Sequence, residues 1–334
     1  MMNYELFKEV VAEKILGYMP SEYQISKVEI HAVSKVNQTL DGLNIIPADE
    51  RSTKVTPTIY VNKMYEHYKE CNDLEEVLQT AASSIEKAFH QVPDHLPMLN
   101  FEQAKDNIIM QLVNTEQNKG MLETLPHRAF QDLSIIYRWL VNKDNEGISS
   151  TVVNNSLAEK LDMSEEQLFQ AAVVNTKRLL PPTIRSMNDV IRDMFLNDGM
   201  PGEIADMMIG EIPDDRAMYV ISNDRGVNGA ASMLYEDGLH ILAEKLGSDL
   251  YIMPSSVHEV IAVSSNLGDP NELAQMVAEI NMGQVSLEER LSNQVYLYDM
   301  ELRKLCLATD TPNKRLDGIV AEPCLIYDAK NQSR

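Results

Sequence analysis

The chain has 334 residues, a net charge of −22 at pH 7 and a hydrophobic fraction of 44%. Such an acid excess opposes nucleic-acid binding, which rests on Lys and Arg displacing phosphate counterions, and no apolar run approaches the ~20 residues that a membrane helix needs. The length allows two domains, while Cys71, Cys306 and Cys324 are too few and too widely spaced for a disulfide framework or a CxxC metal site.

The first residues carry acids within an amphipathic pattern, unlike a secretory signal, so the chain is expected to be cytoplasmic. Leu6, Val10, Val11 and Ile15, with Phe7 and Tyr18 beside them, place an apolar face on a helix over 4–17, which Pro20 closes. Residues 27–32 alternate polar and apolar, predicting a strand with one wet face. Two more strands are expected over 40–46 and 56–61, with Asp41-Gly42 as a turn or bulge. Helices follow over 61–70 and 74–90. Pro93 and Pro97 then mark 91–99 as a connection.

Continuous apolar runs over 108–113 and 133–141 predict strands buried on both faces, and 148–153 should return antiparallel to the second. Two helices are expected over 154–161 and 164–178, the latter opened by a capping box of Ser164 and Gln167. This pair has the outline of a helix-turn-helix. Glu165 and Glu166, however, would turn carboxylates toward DNA from the leading turn, so a plain helical hairpin is the reading. Pro181-Pro182 stops the preceding helix and is taken as the boundary between an N-terminal α+β region, 1–180, and a C-terminal one, 183–330. A helix over 184–196 leads into an acidic segment, where Asp198, Glu203, Asp206, Glu211, Asp214 and Asp215 face the single base Arg216. That is a solvated surface or, alternatively, an imitation of nucleic-acid phosphates that would occupy a basic protein.

Residues 217–264 form the most legible unit. A strand over 218–222 runs into a helix capped by Asn228, striped by Ala231, Leu234, Gly238, Ile241, Leu242 and Leu246, and ended by Gly247. Strands over 250–253 and 257–263 complete a β-α-β-β unit. Beyond it, Asp269 and Pro270 open a helix with Leu273, Met276, Val277 and Ile280 on its apolar face. Ser286 and Glu289 repeat the capping-box spacing. A hairpin is expected from 295–298 and 302–307, with a further edge segment over 319–327. The fold class is α+β, with small, mostly antiparallel sheets and helices packed over them.

No HExxH, phosphate loop or GxSxG elbow occurs, so neither a metal nor a cofactor is expected. Asn228 and Gly229 stand between a strand and a helix, where free amides could hold an anion, although their glycine spacing fits no phosphate-binding pattern and a turn and cap is the preferred reading. Ser255, Ser256, His258 and Glu259 bring nucleophile, base and acid types together. On a strand, Ser256 and His258 would share a face that Glu259 does not, so these residues alone cannot build a triad.

The strings GAASMLY from Gly229, LAEKLGSDLYIMPSSVHEVIAV from Leu242 and LSNQVYLYD from Leu291 resemble a bacterial domain-of-unknown-function family common in Gram-positive gut anaerobes. TPTIYVNKMYE from Thr56 and ATDTPNKRLDG from Ala308 extend the likeness nearly end to end. The resemblance implies a cytoplasmic protein associated with mobile elements and transfers no catalytic residue. The function expected is an acidic binding or regulatory protein that acts through a protein partner, without nucleic acid or membrane. The alternative is a hydrolase using the 255–259 corner.

Overall fold

The computed structural model describes residues 1–47, 56–91, 101–143, 147–210, 213, 216–311 and 315–317. By contacts the chain divides into two units, Met1–Leu99 and Asn100–Arg334. Both are α+β.

In the first unit, helix α1 (Tyr4–Lys14) precedes strands β1 (Lys27–Lys35), β2 (Gln38–Ile46) and β3 (Thr58–Tyr60), then helices α2 (Val61–Cys71) and α3 (Leu74–Gln91). The strands form one antiparallel sheet in that order. Lys35 pairs with Gln38, so the hairpin turns at Val36-Asn37, and Asn37 takes a φ of 63°. Asp41-Gly42 is therefore not the turn or bulge that its composition suggests; both residues run inside β2. A Cβ on Gly42 would lie 2.7 Å from Val33 Cγ2 and 2.8 Å from Thr58 Cγ2, so side chains from both neighbouring strands close over the bare backbone. Asp41 accepts a hydrogen bond from the Tyr4 hydroxyl at 2.7 Å and ties α1 to the sheet. α1 buries Phe7 and Val11, the 3-10 turn after it continues the stripe with Ile15, and Leu6 is exposed. With Leu43, Ile45, Leu78 and Ile85, the three buried residues make this unit's core.

The second unit opens with α4 (Phe101–Ala104), β4 (Ile108–Asn114), α5 (Lys119–Leu122), β5 (His127–Phe130), β6 (Leu133–Lys143), β7 (Ile148–Val152), α6 (Asn155–Lys160) and α7 (Glu165–Leu179). Every residue of β4 is buried, the polar Gln111 and Asn114 included, as expected of a strand covered on both faces. It pairs antiparallel with one side of β6, while β5 and β7 pair with the two halves of its other side. The sequence pattern misses β5: HRAF is short and half-exposed, and it pairs only because β6 offers a partner. Both halves of the Ser164–Gln167 capping box form.

Then follow β8 (Pro182–Ser186), α8 (Met187–Asn197), α9 (Gly202–Ile209), β9 (Tyr219–Asn223), α10 (Glu236–Leu246), β10 (Leu250–Met253), β11 (Val260–Ser264), α11 (Pro270–Gln284), β12 (Tyr296–Asp299) and β13 (Lys304–Leu307). The antiparallel six-stranded sheet has the order β13-β12-β10-β11-β9-β8. Residues 184–186 thus belong to a strand, and the helix expected over 184–196 starts at Met187, where the Ser186 side chain caps the Asp189 amide. Pro181-Pro182 does stop α7. Pro182 then opens an edge strand, where a missing donor is tolerated, so the chain continues within the same unit. The 91–99 connection and the 319–327 segment lie outside the described residues, apart from Gln91 at the end of α3.

The 217–264 unit has the β-α-β-β order read from sequence, with one change. Gly229–Leu234 is a 3-10 helix, and at Tyr235 (φ −93°, ψ 96°) the helix breaks before α10 begins. The break resets the helical phase counted from Ala231. Leu239, Leu242 and Ala243 are buried, and Ile241 is 67% exposed. Gly247 ends α10 in the left-handed conformation. The four- and six-stranded sheets share one core, in which Ile108, Leu112 and Tyr137 join Ile221, Leu242, Ile252 and Tyr296. On α11 the buried positions are Leu273, Ala274, Val277 and Asn281; Met276 and Ile280 are exposed.

Candidate functional site

The second turn-forming region of the β-α-β-β unit folds back onto the first. Pro254 removes a ladder donor after β10, and β11 begins only at Val260, so 255–259 is an irregular segment and not the strand expected from 257. Ser256 makes an isolated bridge with Arg290. The segment is clamped on both sides: the Val257 amide donates to the Glu289 carbonyl at 2.8 Å, and the Ala230 amide donates to the Val257 carbonyl at 3.2 Å. Its close approach requires Gly229. A Cβ there would stand 2.2 Å from Ser222 Oγ and 2.4 Å from the His258 carbonyl oxygen, two atoms that are themselves hydrogen-bonded at 2.8 Å.

Asn228, Gly229 and His258 therefore meet, as sequence spacing could not show. The Asn228 amide donates to His258 Nδ1 at 3.4 Å, and His258 Nε2 lies 3.7 Å from Glu289 Oε1. An Nδ1 that accepts a backbone N–H leaves the ring proton on Nε2, facing the carboxylate. Ser256 Oγ accepts from the His258 main-chain amide at 3.1 Å. The imidazole nitrogens are thus directed to Asn228 and Glu289. A triad needs one nitrogen on the acid and the other on the hydroxyl, and in this arrangement the hydroxyl's place is taken by an amide. Glu259 is in neither contact. Asn228 itself has a left-handed backbone (φ 53°) and makes no side-chain cap bond.

Glu289 is the residue that sequence reasoning missed. Its spacing from Ser286 suggested a second capping box, yet Ser286 makes no side-chain cap bond and Glu289 points to His258. A second polar cluster stands nearby in sequence: Asp132 accepts from Ser292 Oγ at 2.6 Å and from the Tyr296 hydroxyl. Burial, with the Asp132 charge beside it, pushes the Tyr296 phenol well above its ordinary pKa. This cluster fastens the β5–β6 turn to β12.

At the supposed recognition helix, Glu165 and Glu166 are both engaged by Arg128, and Tyr137 also donates to Glu165. Burial alone would raise the Glu165 carboxyl; the Arg128 and Tyr137 hydrogen bonds outweigh it and hold the group below the usual range.

The α8–α9 pair has a different character. None of α8 is fully buried, and only Ala205 of α9 is. Ile204, Met207 and Met208, at i, i+3 and i+4 on one face, are 49%, 83% and 62% exposed. Asp189, Asp193, Asp198, Glu203 and Asp206 are all exposed on this pair, with Arg192 the one base in the two helices and their connection. Arg192 bonds Asp206 at 2.6 Å, while Asp198 and Glu203 have no ion pair among the described residues.

Among the described residues no group of His, Cys, Asp or Glu converges as metal ligands would, and no helix is long and apolar enough to cross a membrane. A model of a family of unknown function matches residues 4–300. No curated protein and no solved structure matches the chain.

Proposed function

This chain belongs to DUF5688, a family of unknown function, and we propose that it is a cytoplasmic acidic binding protein that acts through a protein partner with a basic contact surface. The observation that carries this reading is the α9 stripe. Large apolar side chains that stand free in a contiguous row mark interaction surfaces, and methionine, unbranched and polarisable, adapts to varied partners. The acids around Ile204, Met207 and Met208 repel an acidic partner and steer a basic one. A protein that normally holds nucleic acid is one case of such a partner. The free thiols of Cys71 and Cys306 fit a reducing compartment.

The test is affinity capture with the full chain and with a Met207→Asp, Met208→Asp variant. Both positions are exposed, so the variant keeps the fold. The reading predicts that a basic protein is retained by the parent chain, lost with the variant and released as salt rises. Identical retention by both chains would refute it.

A further inference from the structure

The chain carries 19 methionines, and their exposure is uneven. Among the described residues, the three most exposed after the N-terminal Met1 all stand on the α8–α9 pair: Met207, Met208 and, at 60%, Met194. The next, Met282 at 54%, does not offer its sulfur freely, because Sδ accepts a hydrogen bond from Arg290 Nη1 at 3.3 Å. Met207 and Met208 are also two of the three apolar members of the α9 stripe. An exposed thioether is open to attack by a dissolved peroxide. Hydrogen peroxide is neutral, so the acids of α8 and α9 do not keep it away.

We propose that Met207 and Met208 form a reversible oxidation site that switches the α9 surface off when peroxide rises; the switch rests on the partner reading above. In the reaction a sulfur lone pair attacks one peroxide oxygen, an S–O bond forms, the O–O bond breaks and water leaves after proton transfer, so sulfur is oxidised and the peroxide is reduced. The product replaces a flexible apolar side chain by a polar, chiral sulfoxide. Ile204 is then the remaining apolar member of the stripe, and oxygen acceptors stand where a partner's apolar groups would pack. Methionine sulfoxide reductases return the thioether, one enzyme for each sulfoxide epimer. Since both side chains stand in solvent, the fold survives their oxidation.

The test treats the full chain with dilute hydrogen peroxide and follows sulfoxide by peptide mass spectrometry, with Met276 and Met282 of α11 as internal controls. Met207 and Met208 should gain oxygen ahead of both controls with an unchanged circular dichroism spectrum, and the two reductases together should reverse the gain. Binding is read with a helical peptide of leucine and lysine, whose apolar face and charge match the stripe and the acids around it. The oxidised chain should bind this peptide several-fold more weakly. A Met207→Leu, Met208→Leu variant, close to the parent in side-chain volume, should bind it equally before and after peroxide. Oxidation no faster on α9 than on α11, or parent-like binding by a chain oxidised at both positions, overturns the switch. If the Met207→Asp, Met208→Asp variant binds the peptide as the parent does, the partner reading fails and the switch fails with it.

Discussion

Gly229→Ala places a methyl group where there is no room. Its Cβ would meet Ser222 Oγ at 2.2 Å, the His258 carbonyl oxygen at 2.4 Å and the Asn223 amide nitrogen at 2.9 Å. Two of these belong to backbone, so a side-chain rotation cannot relieve the overlap. Either the Gly229–Leu234 turn moves off the 255–259 segment, stretching the Ala230–Val257 bond, or β9 moves away and the Ser222–His258 bond breaks. Overpacking costs about 1–3 kcal/mol and a lost hydrogen bond about 0.5–1.5 kcal/mol, so a loss of roughly 2–4 kcal/mol is expected. Against a typical total of about 5–15 kcal/mol this should move the urea midpoint visibly. Gly283→Ala is the control: that glycine lies in α11, with nothing within 4 Å of its Cβ position, and the change should be neutral or stabilising by up to about 1 kcal/mol. Equal midpoints for the two variants would refute the packing argument.

Three further outcomes follow from the same structure. Leu242→Ala should cost about 2–5 kcal/mol and Ile241→Ala less than about 0.5 kcal/mol, because the break at Tyr235 buries the first and exposes the second; thermal melts that rank them the other way would restore the unbroken helix. Ser164→Ala should cost about 0.5–2 kcal/mol through the lost cap, measured by urea unfolding, and no change would mean that the box contributes nothing. Burial raises the phenols of Tyr137, Tyr235 and Tyr296, that of Tyr235 to about 12. Since the unfolded phenols ionise near ~10, the native state holds more protons above that pH. This stability is complete below pH ~10 and is lost as pH rises through the folded values, so urea midpoints should fall over that window; flat midpoints would contradict it.

Local signals in the sequence were sufficient wherever one residue type does one job. Ser164 with Gln167 placed the start of α7, Gly247 the end of α10, and the run at 108–113, apolar apart from Gln111, a strand buried on both faces. The failures have a common cause in distant partners. Asp41-Gly42 has turn composition, but Val33 and Thr58 close over Gly42 from neighbouring strands. Residues 184–186 pair with β9 because that strand lies alongside, and β5 exists because β6 does. The same holds at the candidate site. The composition of 255–259 drew attention to His258, whereas its neighbours, Asn228 and Glu289, are supplied by tertiary folding from about thirty residues away on either side.

The partner reading stands or falls at α9. A photo-cross-linking residue at position 207, with one at position 276 on α11 as control, measures what touches that face in living cells. A discrete adduct is expected from position 207, joined through a Lys- and Arg-rich peptide of another protein, weakened by salt in lysate and missing from position 276. No adduct at position 207, or the same adducts at both positions, would contradict the account.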